Sequence, residues 1–262
     1  MKRYLRLYLY FLQFSFSKAM EFRIDFTFRI LMDIIYYAVN ILLFKTLFLH
    51  TGLIGGWNEE QMMVFVSCYL LVDAINMTVF STNMWWLPAY INKGELDYYL
   101  IRPVNPLFFL SLREFSANSF INLITAVAFF IYSLSNYTGD YNWMQLLGLL
   151  ALLVNGALVY YTLHMMMIIP VFWTHSSRGF IDLFYSLGLA MERPDKIFKG
   201  WLRVVFTMIV PLTVLASFPA RAFLEGFTSD VLLHITCVTV GAWGLMLFWW
   251  RRGLKNYSSA SS

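Results

Sequence analysis

Residues 61–86 read QMMVFVSCYLLVDAINMTVFSTNMWW, with Asp73 as the one charged side chain in the run. A helix of that length rises about 39 Å at ~1.5 Å per residue, enough for a hydrocarbon core of about 30 Å. Five more stretches read the same way: 27–49, 107–133, 143–172, 201–217 and 231–250. The sequence therefore predicts an all-α integral membrane protein with six transmembrane helices. Of the 262 residues, 60% are hydrophobic and 13% charged, and the mean hydropathy is +0.63. A soluble domain carries roughly 25% charged residues. Cys68 and Cys237 both fall inside apolar stretches, so no secreted disulfide framework is indicated. Met1-Lys2-Arg3-Tyr4 does not open a cleaved signal peptide, because no clean apolar core with a small-residue cleavage site follows it.

Charge sets the expected orientation. The net charge is +4, but where the cations fall matters more. Residues 51–60 (TGLIGGWNEE) and 136–142 are short connections on one side, and 89–106 and 173–200 are connections on the other. With this alternation every Lys and Arg except Lys45 and Arg221 lies on the second side. Insertion retains Lys and Arg in the cytoplasm. The expectation is a multi-pass inner-membrane protein with both termini cytoplasmic. Residues 1–26 carry Leu5, Leu9, Leu12 and Phe16 beside Lys2, Arg3, Arg6 and Lys18, the pattern of an amphipathic helix in the cytoplasmic interface. A ragged start to the first span is the alternative. Residues 27–250 form the six-helix domain, and 251–262 a cytoplasmic tail held by Arg251, Arg252 and Lys255. The fourth stretch is long enough to require tilt or a break near Pro170. The fifth is short and interrupted by Pro211, and the segment 218–230 that follows, with Pro219 and Gly226, should stay near the outer face.

Polar residues inside the spans recur on helical faces. Asp73, Asn76 and Asn83 share one face of the second span, and Asp33 and Asn40 lie seven apart in the first. The third holds Asn118, Asn122 and Thr125. Such groups avoid lipid and face protein or a watery cavity. Two readings stay open: they line a translocation path or dimer interface, or they are hydrogen-bonding glue between helices. Asp33 and Asp73 favour the first, because a carboxylate is dearer to bury than an amide. Asp73 should find a donor such as Lys45 or a hydroxyl, or stay protonated. His164, beside Met165-Met166-Met167, lacks companion ligands for a metal. No P-loop, H-E-x-x-H, C-x-x-C or G-x-S-x-G motif is present. The reading therefore assigns no catalytic, metal or cofactor residue to this chain, and an intramembrane enzyme lacks a nucleophile–base pair.

The most informative polar segment is 92–106, NKGELDYYLIRPVNP. Gly94 offers a bend. Glu95 and Asp97 suit the first turn of a short helix, where carboxylates oppose the positive end of the dipole. Arg102-Pro103 ends it. Leu96, Tyr99 and Leu100 form an apolar face that would dock into a soluble partner. An ordinary interfacial helix is the alternative.

GELDYYLIRPVNPLF at 94–108, RPDKIFKGWLRVVFTMIVPL at 193–212, FPARAFLEG at 218–226 and RRGLKNYSSAS at 251–261 resemble the small six-span permease subunits of ABC-2-type exporters. The resemblance implies a cytoplasmic coupling helix at Gly94, Glu95, Leu96, Asp97, Tyr99, Leu100 and Arg102. It also implies a connector between helices five and six, carrying Pro219, Arg221, Phe223 and Glu225, that re-enters the outer leaflet. Such permeases pair with a second copy or a paralogous permease and bind two separate ABC ATPase subunits. ATP and magnesium would sit on those partners, and nucleic acid has no part. The cargo is not implied. A different role stays open: a membrane-anchoring or assembly subunit that recruits a cytosolic ATPase and transports nothing.

Overall fold

A computed structural model describes residues 2–19, 23–117, 119–176 and 178–257 of the chain. Asn118 and the tail beyond Tyr257 lie outside the described residues. The central helix is α3, Glu59–Asn92, after α1 (Lys2–Ala19) and α2 (Arg23–Phe48). Asn58 and Gln61 cap α3 reciprocally, each side chain accepting from the other's backbone N–H. Most of α3 is buried, including Phe65, Leu70 and Val72. A helix apolar all round belongs at the centre of a bundle. Around it stand α4 (Asp97–Leu100), α5 (Pro106–Leu112), α6 (Ser119–Ser135), α7 (Trp143–Thr174) and α8 (Arg178–Gly188). Then follow α9 (Gly200–Ile209), α10 (Ser217–Glu225) and α11 (Ser229–Asn256). The described residues form an all-α bundle with no sheet; a lone bridge between Ile54 and Trp57 closes the loop before α3. Helices α2, α3, α7 and α11 are long and apolar enough to cross a membrane, and α6 and α9 are shorter apolar helices.

The bundle has two ends, each fixed by contacts. At one, Glu60 accepts from the backbone N–H and hydroxyl of Thr138 at 3.1 and 2.7 Å, joining the first turn of α3 to the loop before α7. At the other, Asn92 donates to the His175 carbonyl (2.9 Å) and Asn256 to that of Phe172 (3.1 Å). Helix α1 packs along α5 and the break that follows it: Tyr4 against Phe108, Phe11 against Phe109, and Phe16 against Phe115 of the break.

Three expectations about continuity change. The third stretch is two helices, not one: α5 stops at Leu112 and α6 begins at Ser119. The break sits against a widened π-helical turn of α3, Met77–Ser81. The Thr78 carbonyl accepts from Ser116 N at 2.8 Å, and the Thr78 hydroxyl donates to the Ser119 carbonyl at 3.0 Å. Phe115 N donates to Ser15 Oγ of α1 at 3.0 Å. Non-helical backbone at membrane depth survives only where protein supplies its hydrogen bonds, and here α3 and α1 supply them.

Second, the fifth stretch, 201–217, is not a continuous helix. α9 ends at Ile209, Val210 leaves helical geometry (φ −119, ψ 82), and a short 3-10 turn at Leu212–Val214 precedes α10. Pro211 has no N–H to carry the helix on. The turn that follows it presses on α7, where a Cβ on Gly156 would overlap the carbonyl oxygen of Leu215.

Third, residues 173–200 do not stay at one end. From His175, beside Asn92, the chain leads into α8, which returns along α7 with Phe184 stacked on His164 (5.0 Å) and Tyr160 (5.5 Å). By Pro194–Ile197 the chain has reached Gly55, in the loop before α3 at the opposite end. Arg193, Lys196, Lys199 and Arg203 thus leave the end where the charge pattern put them. The driving force is the apolar face of α8, whose Phe184 is wholly buried.

Candidate functional site

Halfway along the bundle, α2, α3, α6, α7 and the chain from α8 to Glu192 line a cavity of about 530 Å³ that is open on one side. Asp73 lies about 21 Å from the start of α3 and Asp33 about 22 Å from the end of α2, at ~1.5 Å per residue. Both carboxyl groups line the cavity, as does Glu192. The Tyr36 and Tyr69 hydroxyls are 2.5 Å apart and reach Glu192 Oε1 at 3.2 and 3.0 Å. Tyr160, Tyr185, Ser119 and Asn122 complete the polar wall. Asn122 is 7% exposed, and its carbonyl oxygen has no hydrogen-bond partner among the described residues. Glu192 escaped the sequence reading because 173–200 was assigned to one side. The aromatic and aliphatic run IDLFYSLGLAM at 181–191 is the signal that places it inside.

The polar stripe divides. Asp73 faces the cavity, whereas Asn83 braces the break between α5 and α6: its amide donates to the Glu114 carbonyl (2.7 Å) and accepts from Glu114 N (2.9 Å). Asn76 is buried outside the cavity lining, and its Nδ2 finds no partner among the described residues. Asn40 donates within its own helix to the Tyr36 carbonyl at 3.0 Å. Asp73 pairs neither with Lys45 nor with any hydroxyl among the described residues. His164 is a packed ring on Phe184, and no group of three or more His, Cys, Asp or Glu among the described residues is arranged to hold a metal.

The segment at 94–102 keeps its bend but turns its apolar face inward. Gly94 takes φ +75, a left-handed turn, and α4 begins at Asp97 without a side-chain cap. Leu96 is fully buried, Leu100 packs in the same cluster, and Tyr99 lies between Tyr90 (5.5 Å) and Phe109 (5.6 Å). Arg113 reaches the hydroxyls of Tyr99 and Tyr90. Arg102 holds the Tyr98 carbonyl and lies over Phe109. The expected Leu96–Tyr99–Leu100 docking face is therefore corrected: the apolar side chains that 94–102 offers to solvent are Tyr98, 66% exposed, and Ile101, 80% exposed. A helix this short closes on the nearest apolar surface, which is the bundle itself.

The connector is tied down at both ends. Ser217, Phe218, Pro219, Ala220, Ala222 and Phe223 are buried, and Gly226, φ +105, ends α10. Asp195, fully buried, accepts from Arg221 at 2.7 Å and from Ser217 Oγ at 2.8 Å, with Arg203 at 3.4 Å. Lys196 pairs with Glu225, which also accepts from the Trp57 indole at 2.9 Å. Phe223 packs on Tyr137 and Tyr141. Residues just before α9 thus bond to residues within α10, so α9 and α10 form a hairpin whose two ends lie at the Trp57 end of the bundle. Asp195 was not singled out in the sequence, although it lies in one of the two resembling stretches that this pairing joins.

A family model described as ABC-2 family transporter protein matches residues 34–261. No curated protein and no solved structure matches the chain.

Proposed function

The chain belongs to the ABC-2 transporter family, and we propose that it moves its cargo outward through the acidic cavity, driven by ATP hydrolysed on a separate subunit. It is the membrane permease component of an ABC-type transport system. The observation that carries the proposal is the cavity itself: a half-depth polar chamber walled by α2, α3, α6, α7 and the chain leaving α8. Any movement of α8 against α2 and α3 alters it. The crossings in this reading are α2, α3, the pair α5–α6, α7, α8 with the chain to Ile197, and α11. The α9–α10 hairpin dips into the outer leaflet and returns.

Both termini are cytoplasmic in this arrangement. Lys45, Arg193, Lys196, Lys199, Arg203 and Arg221 fall on the outer side, and the remaining Lys and Arg, the majority, stay inside. Of the outer set, Lys196, Arg203 and Arg221 face Glu225 or Asp195, which tempers their pull on orientation. Two ABC ATPase subunits, holding ATP and magnesium, engage the cytoplasmic face at Tyr98 and Ile101. A second permease copy or a paralogue, together with lipid, covers α2 and α11, whose apolar side chains are largely exposed.

Reconstitution with an ABC ATPase in nanodiscs tests this. The permease should stimulate ATP hydrolysis, Ile101→Asp should lose that stimulation, and Ser119→Trp, which fills the cavity, should retain ATPase binding but change the stimulated rate. Stimulation indifferent to Ser119→Trp would favour a mere anchoring subunit and overturn the transport reading.

A further inference from the structure

We propose that the cavity selects amphiphilic organic cations, with Asp73 and Glu192 receiving the positive head. This rests on the cavity being the cargo path. The lining presents the carboxyl groups of Asp73 and Glu192 and four tyrosines and, among the described residues, no Lys or Arg. A carboxylate away from water is costly unless a cation or donors face it. Glu192 has two tyrosine hydroxyls; Asp73 has no hydrogen-bond donor among the described residues. Without a ligand Asp73 meets that cost by keeping its proton, and a bound cation supplies the counter-charge that lets it ionise.

The tyrosines add a second attraction. Tyr36, Tyr69, Tyr160 and Tyr185 converge on one chamber, and aromatic faces attract quaternary or delocalised cations that have little hydration to lose. The Tyr36–Tyr69–Glu192 hydrogen bonds fix two of these rings before any ligand arrives. A separate observation points to a ligand: the buried, unpartnered carbonyl oxygen of Asn122, on the lining, is an acceptor suited to an ammonium or amidinium N–H. Among the described residues no three His, Cys, Asp or Glu side chains are arranged to hold a metal, and the ligand proposed is a larger, softer cation. Its body should be apolar, because Phe28, Met32 and Leu189 form an exposed apolar rim to the same chamber. The volume of about 530 Å³ lies in the range of small-molecule sites.

The test uses the full chain in nanodiscs of neutral lipid, without any ATPase. Radiolabelled tetraphenylphosphonium is the probe, and tetraphenylborate, equal in shape and opposite in charge, is the control. The expected result is saturable tetraphenylphosphonium binding above that of empty nanodiscs, with tetraphenylborate failing to compete. Asp73→Asn combined with Glu192→Gln should weaken the affinity by about tenfold or more, a difference of ~1.4 kcal/mol. Equal binding of the two ions, or full affinity in the doubly substituted chain, overturns the proposal. The comparison of the two ions needs no variant, so it stands even if the substitutions impair folding. Binding is read without ATP, so the outcomes separate: a chain that stimulates its ATPase but ignores the cation has a different cargo, and one that binds the cation without cavity-dependent ATPase stimulation contradicts the transport reading alone.

Discussion

Asp195 has no exposure, and its environment makes it an anchor for the connector. Its carboxylate faces Arg221, Arg203 and the Ser217 hydroxyl, while its own N–H donates to Ser217 Oγ at 2.8 Å. Removing one partner of a buried pair strands the other, at a cost of about 3–5 kcal/mol. Asp195→Leu should therefore lower the unfolding midpoint in detergent sharply. Combining it with Arg221→Met should cost less than the two single losses added, because no charge is then stranded. Additive losses would show that the pair is uncoupled. Asn83 gives a second case at this scale. Asn83→Ala removes both hydrogen bonds to the Glu114 backbone and should cost about 1–3 kcal/mol. Asn76→Ala, which removes an amide whose Nδ2 has no partner among the described residues, should cost less. Urea or SDS titrations of the two variants read the contrast directly. A larger loss at Asn76 would reverse the roles assigned to these two amides.

At the scale of elements, hydropathy identified the long helices because burial on every side, or exposure to lipid, leaves a continuous apolar run. Such a run says nothing about where the backbone departs from helical geometry. The stripe Asp73–Asn76–Asn83 assumed one uninterrupted helical period, but the widened turn at Met77–Ser81 intervenes and shifts the phase. Asp73 and Asn83 consequently serve different purposes. Pro211 signalled its break; the break after Leu112 has no proline or glycine to announce it and depends on acceptors and donors in α3 and α1. The path of α8 was obscured by the cations around it: Lys196 finds its partner Glu225 far along the chain, and Asp195 of the same segment is matched by Arg221 from α10. At 94–102 the amphipathic pattern was legible, but pattern alone does not tell a bundle from a partner. The consequence is a crosslinking prediction: Tyr98→Cys and Ile101→Cys should crosslink to the ATPase, and Leu96→Cys should not. Efficient crosslinking at Leu96 with none at the other two would restore the apolar face to the partner.

For the whole molecule, the decisive question is which surface each end of the bundle presents. The contacts divide residues 173–200 between the ends, with His175 held by Asn92 at one and Lys196 beside Glu225 and Trp57 at the other. A charge count that keeps this segment together places Arg178 and Lys199 on the same side of the membrane. In the folded chain Arg178, near His175, and Lys199, near Ile197, lie toward opposite ends of the bundle, with Phe184 of α8 buried along α7 between them. That separation also sets the form of the cavity: only a chain that crosses between the ends brings Glu192 level with Asp73. Single cysteines at these positions distinguish the arrangements in intact cells. With the exposed native Cys237 replaced by Ser, Lys199→Cys should react with a membrane-impermeant maleimide from outside, and Arg178→Cys should react only after the cells are opened. The expected contrast is near-complete labelling at one site and near-background labelling at the other. Protection of both until lysis would return 173–200 to the cytoplasm, and the bonds from Lys196 to Glu225 and from Asp195 to Arg221 could not then exist together with an outer loop at Trp57.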